Sequence, residues 1–234
     1  MKITWYGHSA FRIEFGDTAI VLDPFISGNP SVPAGVTAAS VGEGAGHVIL
    51  SHGHDDHFGD TLDILKATGA TLTANWEICM YAASKGHQAI NPMNSGGSVD
   101  LGAFRVSLTT AHHSSASTLT MPPLYLGNPH GVVIKAEGEP TLYFAGDTDI
   151  FSDMALIREF HAPDIAILPI GDRFTMDGKL AAIAAERFLK PRHVIPCHYG
   201  TFPLLDPNPD KLIAGLAGSG ITVHTPKPGE SLLI

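Results

Sequence analysis

Four side chains able to bind a metal crowd into six consecutive positions: His52, His54, Asp56 and His57, within His52-Gly53-His54-Asp55-Asp56-His57. Neutral imidazoles and carboxylates are the donors that Zn²⁺ takes at about 2.0–2.2 Å, and a catalytic ion keeps one position for water. His52 and His54 are two residues apart, so in extended backbone both rings face the same way. Asp56 and His57 follow as the chain turns into a helix, and they can face a neighbouring ion. Water on such an ion has its pKa lowered to about 7, which makes it a nucleophile at neutral pH. The chemistry expected of this segment is activation of water by bound metal.

Elements on either side must hold that cluster in place. Residues 46–51 read as a buried strand, and residues 58–68 read as a helix with Leu62, Ile64 and Leu65 on its apolar side. The cluster then lies on a strand-to-helix loop, where α/β proteins usually place their chemistry. Three later loops share that placement. His112 and His113 follow the run 106–111, Asp147 follows 142–146, and His198 follows 193–197. Strand-end loops on one side of a layered domain converge, so residues distant in sequence can meet there.

The rest of the chain fits this layout. Short β-like runs at 3–6, 11–15 and 19–22 predict an antiparallel meander, followed by a Gly/Ser/Ala/Pro-rich loop over 27–46. Strand, helix and strand are expected at 70–74, 76–84 and 104–110. A hairpin at 132–136 and 141–145 leads to a helix at 154–160 and a strand at 165–170. A helix at 180–189, a strand at 193–196, a helix at 210–217 and a strand at 221–225 close the pattern. Strands followed by helices, twice over, imply two sheets packed face to face with helices outside. The fold class is therefore α/β (α+β), a four-layer αββα sandwich. With no low-complexity linker, residues 1–234 read as one domain with two similar halves.

Composition narrows the partners. Hydrophobic residues make up 44% and charged residues only 16%, as in a well-buried globular chain. The formal charge is -9 with no Lys/Arg cluster, which argues against a nucleic-acid backbone as ligand. No apolar stretch approaches a membrane span, and Met1 leads straight into a strand-like run without a signal peptide. Cys79 and Cys197 are too few for a disulfide framework. A cytoplasmic protein with a small-molecule substrate is expected, and a homo-oligomer stays open.

Taken in order, the first cluster, His112, Asp147 and His198 resemble the metallo-β-lactamase superfamily pattern. The opening Gly7-His8-Ser9-Ala10-Phe11, the segment Leu22-Asp23-Pro24-Phe25 and the closing run 196–203 narrow the likeness. They are similar to a subgroup of small metal-dependent hydrolases related to the ascorbate-phosphate lactonases. That resemblance implies His52, His54 and His112 around one ion, with Asp56, His57 and His198 around the second. Asp147 bridges them, an anion between dications roughly 3.5–4 Å apart. Zinc is the expected metal, with manganese, iron and nickel open.

Several residues are assigned around that set. Asp56 is expected to orient the attacking water and pass a proton to the leaving group while also serving as a ligand. Of the adjacent pair, the resemblance favours His112 as ligand and leaves His113 to the pocket wall, the substrate or solvent. His8 is read as lining the pocket. Asp23 is a carboxylate able to accept a ligand histidine N–H, or a turn former before Pro24. Arg173, in the loop after 165–170, is either the cation that meets an anionic substrate or a structural ion pair. His47, His87, His130, His161, His193, His224 and Cys197 are read as structural. A lactone-type ester is favoured as substrate on the resemblance alone. Phosphodiester hydrolysis and an iron-dependent dioxygenase are the alternatives.

Overall fold

The computed structural model describes residues 1–234, which divide into two compact units built from interleaved segments. Unit 1 takes Met1–Asn94, Ser114–Pro129 and Pro226–Ile234, and unit 2 takes Ser95–His113 and His130–Thr225. Elements are numbered along the chain.

Unit 1 contains β1 (Lys2–Trp5), β2 (Phe11–Phe15), β3 (Thr18–Leu22), α1 (Ala38–Gly42), β4 (His47–Ile49), α2 (Asp55–Phe58) and α3 (Thr61–Thr68). It continues with β5 (Thr71–Asn75), α4 (Trp76–Ser84) and β6 (Ile90–Met93). A short arm of β9 (Ala116–Ser117) and β10 (Leu124–Tyr125), and finally β16 (Ser231–Leu233), complete the unit. Its sheet runs β16-β1-β2-β3-β4-β5-β6, antiparallel as far as β3 and parallel beyond.

Unit 2 contains β7 (Ser98–Asp100), β8 (Arg105–Thr110), β11 (His130–Lys135), β12 (Leu142–Phe144), α5 (Met154–His161) and β13 (Ile165–Pro169). Then come α6 (Gly178–Ile183), β14 (His193–Cys197), α7 (Asp210–Gly215) and β15 (Thr222–Val223). Its sheet runs β15-β14-β13-β12-β11-β8-β7, parallel as far as β12 and antiparallel beyond. Each unit thus joins an antiparallel half-sheet to a parallel one.

Each sheet packs helices on one face. In unit 1, Val21, Val48 and Leu72 meet Val41, Ile64, Leu65 and Ile78. In unit 2, Ala166, Leu168 and Val194 meet Ile157, Ala181, Ala185 and Leu189. The intervening residues, among them Ile20, Leu22, Ile49, Ile165, Ile167 and Ile195, are buried as well. Burial of both faces explains why the parallel strands read as nearly continuous apolar runs. Each such aliphatic side chain contributes about 1.5–3 kcal/mol.

Three expectations change. The 27–46 stretch contains α1, started by a capping box in which Thr37 Oγ1 accepts from Ser40 N and Ser40 Oγ accepts from Thr37 N. The helix expected at 58–68 is two helices, α2 and α3, broken at Gly59. There φ is +40°, and a Cβ would lie 2.5 Å from the Pro24 carbonyl oxygen. The helix expected at 180–189 begins at Gly178, capped by Asp177, and passes into a π-helix over Ala184–Leu189. No helix is long and apolar enough to cross a membrane.

Candidate metal centre

The candidate site residues of unit 1 hang on the ends of β3 and β4. Asp23 follows β3 in left-handed backbone, φ +41°, and its side chain is fully buried. Its Oδ1 accepts from Ser51 N at 2.8 Å; its Oδ2 accepts from Ser51 Oγ at 2.5 Å and from His57 Nδ1 at 2.7 Å. The Ser51 hydroxyl has given its proton to Asp23, so at 3.0 Å it accepts from His52 Nδ1. One carboxylate thereby fixes the tautomer of two histidines, both turned to offer Nε2. Asp23 thus bonds His57 directly and reaches His52 through Ser51.

His54 completes the pair. Its Nε2 lies 3.1 Å from Ser114 Oγ, and its Nδ1 lies 3.0 Å from His52 Nε2. In the tautomer whose Nε2–H donates to Ser114, the His54 Nδ1 and His52 Nε2 lone pairs face each other at that separation. Two nitrogens bound to one Zn²⁺ at about 2.0–2.1 Å stand roughly 3 Å apart, so the donors fit a cation. Asp56 is partly exposed, and its Oδ2 is 3.0 Å from His8 Nε2. His8, in left-handed backbone at φ +52°, is fully buried and stands edge-on to His57. His8, read from the sequence as lining the pocket, is bonded to Asp56, one of the expected metal ligands.

In unit 2, Asp147 follows β12 and is 2% exposed. Its Oδ2 lies 3.0 Å from His198 Nε2 and 3.5 Å from His113 Nε2. His198 leaves β14 at φ +59°, and a Cβ on Gly171 would collide with its carbonyl. Only glycine lets the end of β13 approach so closely.

Of the adjacent histidines, it is His113, not the expected His112, that lies against Asp147. The His112 ring stacks on Phe151, with centroids 4.7 Å apart and planes 3° off parallel, and the residue is exposed. Its backbone N–H donates to Thr148 Oγ1 and its carbonyl accepts from Asp149 N. Held this way, His112 presents His113, not itself, to Asp147. Arg173 is exposed in a strained turn, φ +24°, with its guanidinium over the Phe174 ring at 5.7 Å and no ion pair. The structural ion pair expected for it is absent.

Sequence reasoning missed Ser51, Ser114 and the binding role of Asp55. Their adjacency to the histidine cluster was the available signal. The histidines read as structural behave so where bonds define them: His193 Nδ1 meets His224 Nε2 at 3.0 Å, and His87 Nε2 bonds the Ala70 carbonyl. Cys79 and Cys197 are both fully buried.

Two mixed seven-stranded sheets with helices, and His/Asp ligand sets on their strand ends, define a protein of the metallo-β-lactamase fold. The family profile of the beta-lactamase superfamily domain matches residues 2–198. A UPF0173 metal-dependent hydrolase of Methylocella silvestris is 56% identical, covering 100% of both chains. Another, from Mesorhizobium japonicum, is 54% identical, also over 100% of each. The solved structure of Igni18, a metallo hydrolase from the hyperthermophilic archaeon Ignicoccus hospitalis, superposes with TM-score 0.88 and 35% identity. It covers 99% of this chain and 97% of that one. The chain belongs to the beta-lactamase superfamily, among its metal-dependent hydrolases.

Proposed function

We propose that this chain hydrolyses a small lactone-type ester at a dinuclear, zinc-type centre. His52, His54 and His113 would hold one ion, Asp56, His57 and His198 would hold the other, and Asp147 would serve both. The observation that carries the reading is Asp147 Oδ2, 3.0 Å from His198 Nε2 and 3.5 Å from His113 Nε2. A single carboxylate oxygen thus reaches one histidine assigned to each ion. Divalent ions held there would supply Lewis acidity, enough to make water a nucleophile near neutral pH and to offset charge developing on a carbonyl oxygen.

The chain's own residues do the rest. Asp23 keeps His52 and His57 in the tautomer that offers Nε2. His8 bonds Asp56 Oδ2 and fixes its rotamer, leaving Oδ1 as the atom that takes a proton from water and returns it to the leaving alkoxide. The preference for a lactone rests on the likeness to ascorbate-phosphate lactonases.

A screen of metal-reconstituted protein at neutral pH against lactones, phosphodiesters, phosphomonoesters and thioesters tests the bond type. Lactones should be hydrolysed best, and a clear preference for phosphodiesters would overturn the assignment. The ligand choice has its own test. His113→Ala should lower the metal bound per chain, measured by elemental analysis, while His112→Ala should not. The opposite pattern would restore His112 as ligand.

A further inference from the structure

The segment from Ser114 to Leu126 is stapled to the metal loop residue by residue. Gly53 N donates to Ser115 Oγ at 3.0 Å, and His54 Nε2 meets Ser114 Oγ at 3.1 Å. Asp55 accepts three bonds, from Ser117 Oγ at 2.7 Å, Thr118 N at 2.9 Å and Thr118 Oγ1 at 2.6 Å. A Cβ on Gly53 would sit 2.5 Å from Leu126 Cβ, so the two stretches touch at backbone distance. The arm's own ladder has only the pairs Ser117↔Leu124 and Ala116↔Tyr125. A hairpin that short is not stable alone, so these bonds hold it, with the Asp55 carboxylate gripping its outer part.

What the arm presents is unusual for a surface. Residues 114–129 include no charged side chain, yet Leu119 is 85% exposed, Met121 86% and Tyr125 63%. Neighbouring apolar side chains without a lysine or glutamate to blunt them mark a binding surface. The arm's anchors are His54, a candidate ligand, and Asp55, the residue before Asp56. Leu119 directly follows Thr118, whose hydroxyl bonds Asp55. The arm that carries these apolar side chains is therefore tied directly to the segment that holds the candidate ligands.

We propose that Asp55 is a positioning residue that fixes the arm beside His54 and Asp56, and that Leu119, Met121 and Tyr125 receive an aliphatic chain of the substrate. The inference rests on the hydrolase reading above and narrows it to lactones or esters bearing such a chain. It explains why the metal motif carries a second carboxylate: Asp55 is fully engaged by the arm.

Carboxylates bind divalent centres whichever bond the centre hydrolyses, so alkanoate binding tests the arm separately from turnover. Calorimetry on the metal-loaded full chain should find octanoate bound at least about tenfold more tightly than acetate, since each buried methylene is worth roughly fourfold. Hydrogen exchange over 117–125 should slow with octanoate and not with acetate. The double variant Leu119→Ser/Met121→Ser, changed at two exposed positions, should bring the affinity ratio towards one. Asp55→Ala should do the same and speed exchange over 117–125, with Asp55→Asn intermediate. Equal affinities in the unaltered protein, no binding of either acid, or a ratio that survives both variants would overturn the proposal. So would a dimer in ultracentrifugation that the double variant dissociates, because a second copy would then cover the arm. Chain-length selectivity without lactone turnover would retain the arm and remove the lactone reading.

Discussion

Asp23→Asn should yield a folded protein that binds metal about 10- to 100-fold more weakly, the range seen when groups behind metal ligands are altered. The substitution keeps the shape and leaves an acceptor for Ser51 N. It replaces Oδ2, however, which takes bonds from both Ser51 Oγ and His57 Nδ1. An amide NH₂ at that position meets two donors with a third. His57 can relieve the clash only by moving its proton to Nε2, the atom it should offer to metal. Ser51 must likewise turn its proton away from the new amide, towards His52 Nδ1, which moves His52 to the wrong tautomer as well. One change of atom type thus disables two ligands without removing either. Competition against a chromophoric chelator measures the affinity, and a thermal melt of the metal-free protein checks the fold. Unchanged affinity in a normally folded variant would show that Asp23 does not set the tautomers.

Asp147→Ala should reduce the metal content from about two ions per chain to one or fewer. The carboxylate is nearly fully buried, so its loss leaves His198 and His113 facing a gap rather than solvent. Two dications at roughly 3.5–4 Å repel strongly once the anion between them is gone, and the second ion should be lost first. Elemental analysis after dialysis at fixed free zinc gives the count. Two ions retained at unaltered affinity would remove Asp147 from the bridge.

The sequence exposed the framework because the framework rests on local signals. Apolar runs such as Ile165–Pro169 are buried on both faces and read as strands directly. The Trp76–Ser84 helix matches its expected bounds, set by Asn75, whose side chain accepts from Ile78 N. The histidine cluster declares itself by spacing. Details that depend on distant partners stayed hidden. Gly59 breaks the helix because Pro24 and Phe25 press on it, and Asp60 binds the Ile26 and Ser27 amides.

His112 and His113 could not be separated for a related reason. β8 ends at Thr110, so strand alternation no longer governs the next residues, and Phe151 and Thr148 decide which ring turns. The role of Asp55 depends on Ser117 and Thr118, more than sixty residues later. The strands β6, β7, β9, β10 and β16 carry too few residues or too little apolar pattern to be read at all. β6 even contains Pro92, tolerated because it lies at a sheet edge.

The pairing of β1 with β16 bears on how the chain folds as it is made. Lys2, Ile3 and Thr4 match Leu233, Leu232 and Ser231, so β1 takes its outer neighbour from residues 231–233, made long after it. Until those residues have left the ribosome, β1 presents a bare edge open to other nascent chains. Domains generally fold during synthesis as their residues emerge. The outer edge of this sheet is therefore sealed only once residues 231–233 have emerged as well.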